Sequence, residues 1–267
     1  AVVHIGMVPG EKIEVMIAAK GGGSENKSKM VMLNPSDDIA DWVVKTLPTM
    51  GAGWCPPGML GIGIGGTAEK AAVLAKESLM DPVDIQELIE RGPQNTDEKL
   101  RLEIFERVNK LGIGAQGLGG LTTVVDVKIK SLPTHAASKP VAMIPNCAAT
   151  RHAHFYLDGS GPAELTPPRL EDWPEVTWEV GENTRRVNLD EVTKKDIQDW
   201  KVGETVLLSG KMLTGRDAAH KRIQTMMDNG EGLPEGVDLT NRFIYYVGPV
   251  DAVGDEVVGP AGPTTAT

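Results

Sequence analysis

Apolar and polar positions along the chain alternate with two periods. Val3, Ile5 and Met7 alternate up to Pro9-Gly10, and Ile13, Val15 and Ile17 alternate back, which predicts a β-hairpin over residues 1–19. Asn34-Pro35-Ser36 is expected to cap a helix with the inner stripe Ile39, Trp42, Val43 and Leu47, stopped by Pro48. Met59 to Gly65 is a continuous small and apolar run, a buried strand that enters a helix from Thr67 to Leu79. Leu100, Ile104, Val108 and Leu111 share one face of a helix over 97–110. Val125, Val127 and Ile129 alternate with Asp126, Lys128 and Lys130, the pattern of a strand with one wet face. Pro140 to Ile144 then leads directly into Cys147.

From 158 to 186 periodicity fades and prolines accumulate (Pro162, Pro167, Pro168, Pro174), so this stretch reads as a linker. Beyond it come a short helix over 193–200 with Thr193 as N-cap and a strand over 204–209. A turn at 211–217 feeds a helix through Met227, and a last strand covers 243–247. The elements together predict a mixed α/β (α+β) protein of two units, 1–157 and 187–267, joined by 158–186.

Composition narrows the partners. With 27 Lys plus Arg against 37 Asp plus Glu the net charge is −10, which argues against non-specific nucleic-acid or anionic-membrane binding. Anionic small molecules stay open, because they need only a local cationic pocket. Two cysteines cannot build a disulfide framework, and no signal peptide or apolar run of spanning length is present, so the cytoplasm is the expected compartment. Ala1 starts inside a predicted strand, and the chain is expected to be a piece of a longer one.

Five stretches carry candidate chemistry. Cys55 lies in Gly53-Trp54-Cys55-Pro56-Pro57-Gly58 and Cys147 in Pro145-Asn146-Cys147-Ala148-Ala149. Each is either a small buried hydrophobe or a soft metal ligand held on a stiff turn. Lys20-Gly21-Gly22-Gly23-Ser24 can bring backbone N–H groups close to an anion, or can be a plain surface loop. Gly61, Gly63 and Gly66 satisfy the dinucleotide pattern G-x-G-x-x-G, but two of them sit inside the apolar run. A nicotinamide-dependent dehydrogenase domain is thus the reading from a different class, against small residues admitting close packing. Arg216, just ahead of a helix, suits a carboxylate or is an ordinary turn arginine. His135 reads as a capped surface histidine, and His152, His154 and His220 as solvated or structural.

Several runs, in order along nearly the whole chain, resemble the iron–sulfur-dependent (class I) fumarate hydratases, with L(+)-tartrate dehydratase as kin. They include Lys20 to Ser24, Cys55-Pro56-Pro57, Gly65-Gly66-Thr67, Leu111 to Gln116, Lys139-Pro140-Val141, Gly215 to His220, Met227 to Pro234 and Gly262 to Ala266. The resemblance implies a cluster-binding N-terminal domain of mixed sheets and helices, followed by part of a smaller swivelling β/β/α domain. It also implies a homodimer that interconverts fumarate and (S)-malate; a tartrate- or mesaconate-type hydro-lyase is the runner-up. A [4Fe–4S] cluster would be held by Cys55, Cys147 and a third cysteine expected upstream of Ala1, so the chain alone is not expected to assemble a complete site. By the same resemblance Gly21, Gly22 and Gly23 contact substrate, Arg216 binds a carboxylate, His135 serves the active site, and Thr264 acts as base at carbon.

Overall fold

The structure, a computed structural model, describes residues 2–149, 151–163, 165, 180–249, 251, 252, 254 and 261–263. Most of the expected linker, and Thr264, lie outside the described residues.

The first unit is built on a four-stranded sheet ordered β2-β5-β3-β4, from Lys29–Leu33 (β2), Gly58–Gly65 (β3), Val124–Leu132 (β4) and Lys139–Cys147 (β5). β5 is antiparallel to both β2 and β3, whereas β3 and β4 run parallel. Alternation sorts the central strands between two cores. Leu60, Ile62, Val141 and Met143 face helices α2 (Ile39–Thr46) and α5 (Thr96–Asn109), with Val43, Leu47, Ile104 and Val108. Met59, Ala142 and Ile144 face helix α3 (Ala68–Ser78) through Ala71, Ala75 and Leu79. The result is three layers, with helices on both faces of the sheet.

Gly61 and Gly63 lie inside β3 under α3. A Cβ on Gly63 would stand 1.9 Å from the Ala71 carbonyl oxygen, and one on Gly61 2.2 Å from that of Ala75. These glycines therefore let helix and strand backbones touch. Close packing of the helix accounts for both glycines without a dinucleotide.

Three expectations change. Residues 2–12 form no strand; β1 (Ile13–Ala18) instead pairs antiparallel with β6 (His152–Leu157), from Ile13↔Leu157 to Ala18↔His152. Hairpin signals are local, but this partner arrives only after the whole sheet has been traversed. The α2 cap is Asp38, whose carboxylate accepts from the Asp41 N–H at 2.8 Å, while Asn34 and Asp37 close a separate turn. Third, β4 has no wet face at its centre, because Asp126 is 0% and Lys128 3% exposed.

A four-charge cluster explains that burial. Arg101 of α5 donates to the Val127 carbonyl (2.6 Å) and bridges Asp84 and Asp126, while Lys128 bridges the same two carboxylates at 2.5 and 2.9 Å. Asp84 precedes a helix absent from the sequence reading, α4 (Ile85–Arg91), and its N–H donates to Asp126. Two cations against two anions balance, so the charges can be buried at the sheet edge.

The second unit contains the parallel pair β7 (Arg185–Asn188) and β8 (Val206–Ser209), and helix α6 (Lys194–Gln198), which the Thr193–Asp196 capping box starts. β9 (Leu213–Thr214) pairs with β10 (Ile244–Tyr245), and β11 (Val247–Pro249) with β12 (Ala261–Pro263). Helix α7 (Asp217–Asp228) follows β9.

Candidate functional site

The two cysteine turns meet at one end of the sheet. Gly58 opens β3 and pairs with Cys147, the last residue of β5. A Cβ on Gly58 would stand 2.3 Å from the Asn146 carbonyl oxygen, so a glycine is needed for this close approach. Cys55, three residues earlier, is anchored by the fully buried Trp54, and its N–H donates to the Ala52 carbonyl at 2.9 Å. Its backbone is left-handed (φ 59), a conformation costing roughly 1–3 kcal/mol in a non-glycine residue. Both cysteines are partly exposed, and neither is in a disulfide.

Two further loops wall this end. The glycine-dense loop before β4 turns back so that the Gln116 N–H donates to the Pro56 carbonyl at 2.7 Å, and Gly58 N–H donates to the Thr123 carbonyl. On another side, Lys20 to Lys27 wraps a single helical turn, α1 (Gly22–Glu25), against β5. Ser24 is buried; its hydroxyl donates to the Gly21 carbonyl (3.1 Å) and accepts from the Lys20 ammonium (3.0 Å). Glu25 bridges Lys20 at 3.2 Å and also pairs with Lys76 of α3.

The electrostatics follow from this packing. Burial pushes the Lys20 pKa below the ordinary lysine value; Glu25 and Cys147 pull it back up, and Lys76 adds to the lowering. The Ala19 N–H donates to the Arg151 carbonyl at 2.8 Å, which holds the start of this loop beside the chain just past Cys147. Burial also works to raise the Glu25 pKa, but hydrogen bonds from Lys76 and Lys20 outweigh it and hold the carboxyl below its usual range.

The remaining expected site residues lie elsewhere. His135 follows β4, whose end Leu132 pairs with Gly65, the far end of β3; Thr134 donates to the Gly66 carbonyl there. Seven steps along β3, at about 3.3 Å each, separate that end from Gly58, roughly 23 Å. His135 is exposed, and its Nδ1 accepts from the Ala137 N–H at 3.1 Å. Arg216, the residue before α7, is built by the second unit, and its side chain lies across Gly248, whose strand partner is Gly262. Its carbonyl accepts from the His220 N–H at 3.0 Å. His154 bridges the Glu14 carboxylate at 2.8 Å on the β1–β6 ribbon, a structural role. Lys27, Glu25 and Lys76 were not singled out from sequence, whereas Gln116 ends one of the runs that carry the family resemblance.

Two partly exposed thiols at one sheet end, with ammonium groups beside them, suit a soft metal group with anionic ligands. Among the described residues no three His, Cys, Asp or Glu side chains gather into a metal-holding group. The chain thus brings two cysteine side chains to one end of the sheet. Among the described residues no helix is long and apolar enough to cross a membrane.

Comparison with known proteins gives these features a lineage. Residues 1–156 match the family described as fumarate hydratase (Fumerase), and residues 159–267 the family described as fumarase C-terminus. The chain is 35% identical to fumarate hydratase 2 of Leishmania major over 280 residues, covering 97% of this chain and 47% of that protein. To the aerobic class I fumarate hydratase of Escherichia coli K12 it is 32% identical over 276 residues, covering 97% and 49%. A putative L(+)-tartrate dehydratase subunit alpha of Methanocaldococcus jannaschii is 43% identical over 145 residues, covering 53% of this chain and 49% of that one. The chain spans about half the length of these curated relatives. With the family match running through the sheet, both cysteine turns and the Lys20 to Lys27 loop, the chain belongs to the fumarate hydratase family.

Proposed function

We propose that this chain carries part of the active site of a hydro-lyase that interconverts fumarate and (S)-malate with a [4Fe–4S] cluster. The observation that carries the reading is the Gly58↔Cys147 pairing, which gathers Cys55 and Cys147 beside the Lys20 to Gly23 loop. Cys55 and Cys147 would be two of the cluster's ligands, with a third thiolate from outside this sequence. Bound there with one iron open, the cluster supplies a Lewis acid that polarises the substrate hydroxyl and one carboxylate.

The chain's own groups then bind and orient. Backbone N–H groups of Gly21, Gly22 and Gly23 contact the substrate, and Arg216 takes a carboxylate with its planar fork. Thr264 would move the proton at carbon; a neutral hydroxyl is a weak base, so nearby cations must stabilise its alkoxide. The domain division is 1–157, linker 158–186 and 187–267, and the compartment is the cytoplasm. Anaerobic iron–sulfide treatment of the full-length protein should give a brown, oxygen-labile hydratase. Uptake of iron without fumarate hydration, or hydration without iron, sinks the proposal.

The relation to the tartrate dehydratase subunit supports a second reading, L(+)-tartrate or mesaconate as substrate on the same scaffold. A panel of fumarate, tartrate and mesaconate separates the readings by which gives the highest kcat/KM.

His135 bears on the assembly. Some 23 Å of β3 separates its end of the sheet from the cysteine end of its own chain, which supports a homodimer in which each copy lends His135 to the other's site. Mixing inactive His135→Asn and Cys147→Ser copies should then restore about a quarter of wild-type activity, because half of the dimers are mixed and each has one intact site. No recovery after verified subunit exchange would mean that His135 acts within its own chain, or not at all.

A further inference from the structure

One cation at the cysteine end is left over from the pairing just described. Lys20 and Lys76 share Glu25, so that around the 20–27 loop three ammonium groups, counting Lys27, face one carboxylate. The Lys27 ammonium has neither a hydrogen bond nor an ion pair among the described residues, although the residue is half-buried. Its stem lies flat on Gly53, two residues before Cys55. A Cβ on Gly53 would stand 2.1 Å from Lys27 Cε and 3.0 Å from Nζ, so the end of the lysine packs directly on Gly53. An ammonium with no partner among the described residues has its donors open to an anion.

We propose that Lys27, seated on Gly53, is a specificity-determining residue that holds one carboxylate of a dianionic substrate at the cysteine end. This rests on the hydro-lyase reading above and adds to it the group that selects dicarboxylates over monocarboxylates. Lys20 cannot take this role as readily, since Ser24 and Glu25 already occupy two of its three donors. Lys27 keeps all three donors of its ammonium available.

The test is ligand binding by calorimetry in the full-length, cluster-loaded protein, with succinate as dicarboxylate and butyrate as monocarboxylate. Lys27→Met should weaken succinate by about ten- to a hundredfold, the value of a charge-assisted hydrogen bond, and butyrate by less than about threefold. Lys27→Arg keeps the charge and should stay within about fivefold of wild type for succinate. Gly53→Ala should weaken succinate less than Lys27→Met does, because the added methyl shifts only the flexible end of the lysine and keeps its charge. Iron content should match wild type in all three. Equal weakening of both ligands by Lys27→Met, or no weakening, overturns the inference while leaving a wild type that hydrates fumarate intact. A wild type that neither binds succinate nor hydrates fumarate takes down the hydro-lyase reading and this inference together.

Discussion

Cys147→Ser and Cys55→Ser, each made in the full-length protein, are expected to lower fumarate hydration by at least about a thousandfold. The exchange is nearly isosteric, and both side chains are partly exposed, so neither the Gly58↔Cys147 pairing nor the Trp54 anchor should be disturbed. What changes is the donor. A serine hydroxyl at neutral pH is a protonated, hard oxygen and a poor ligand for iron, whereas a thiolate is soft and anionic. Lewis-acid stabilisation is worth several kcal/mol, and each 1.36 kcal/mol is tenfold in rate, which yields the thousandfold figure. The check combines hydration rate, bound iron and sulfide, and far-UV circular dichroism. Loss of iron and rate with unchanged dichroism is the expected pattern. Full activity in either variant would remove that cysteine from the site.

The second large effect concerns stability. Asp126→Ala should destabilise the fold by roughly 3–5 kcal/mol, since it leaves Arg101 and Lys128 buried with only Asp84 to balance them. Lys130→Ala, which breaks the more exposed bridge to Asp81, should cost less than about 1 kcal/mol. Urea unfolding of both variants decides; comparable small changes would mean that water reaches the cluster and carries much of the charge. The same cluster predicts an acid response. Burial works to raise the Asp84 pKa, but hydrogen bonds from Arg101 and Lys128 outweigh it and bring it down to about 2 from an ordinary 3.8. Because the folded value is the lower one, the contribution is present above about pH 4 and is lost as pH falls toward 2. Asp84→Asn should flatten that part of the stability–pH curve, although it also weakens the cluster at neutral pH.

How far the sequence alone reaches depends on range. Elements whose signals sit within one helix or strand came through: α3, α5, the Thr193-capped α6, and α7 behind Arg216 all form where their periodicity and caps put them. The family resemblance, carried by ordered short runs, was also readable, and it named Cys55 and Cys147 as a pair. The α4 helix was missed because seven residues offer too few turns for a periodic signal.

The sequence determined local chemistry: which segments can be helix or strand, and where thiols, glycines and lysines occur. Tertiary structure alone decided what these groups meet. β1 looked like half of a hairpin, but its partner is β6, because pairing energy depends on which edge the folded chain presents and not on nearness in sequence. Asp126 and Lys128 looked wet, yet they are buried, because Arg101 and Asp84 arrive from other elements to neutralise them. Cys55 and Cys147, 92 positions apart, share one sheet end through a glycine contact at Gly58, while His135, closer to Cys147 in sequence, is carried to the other end by β4. Strand direction converts sequence distance into spatial separation, and only the assembled sheet has direction.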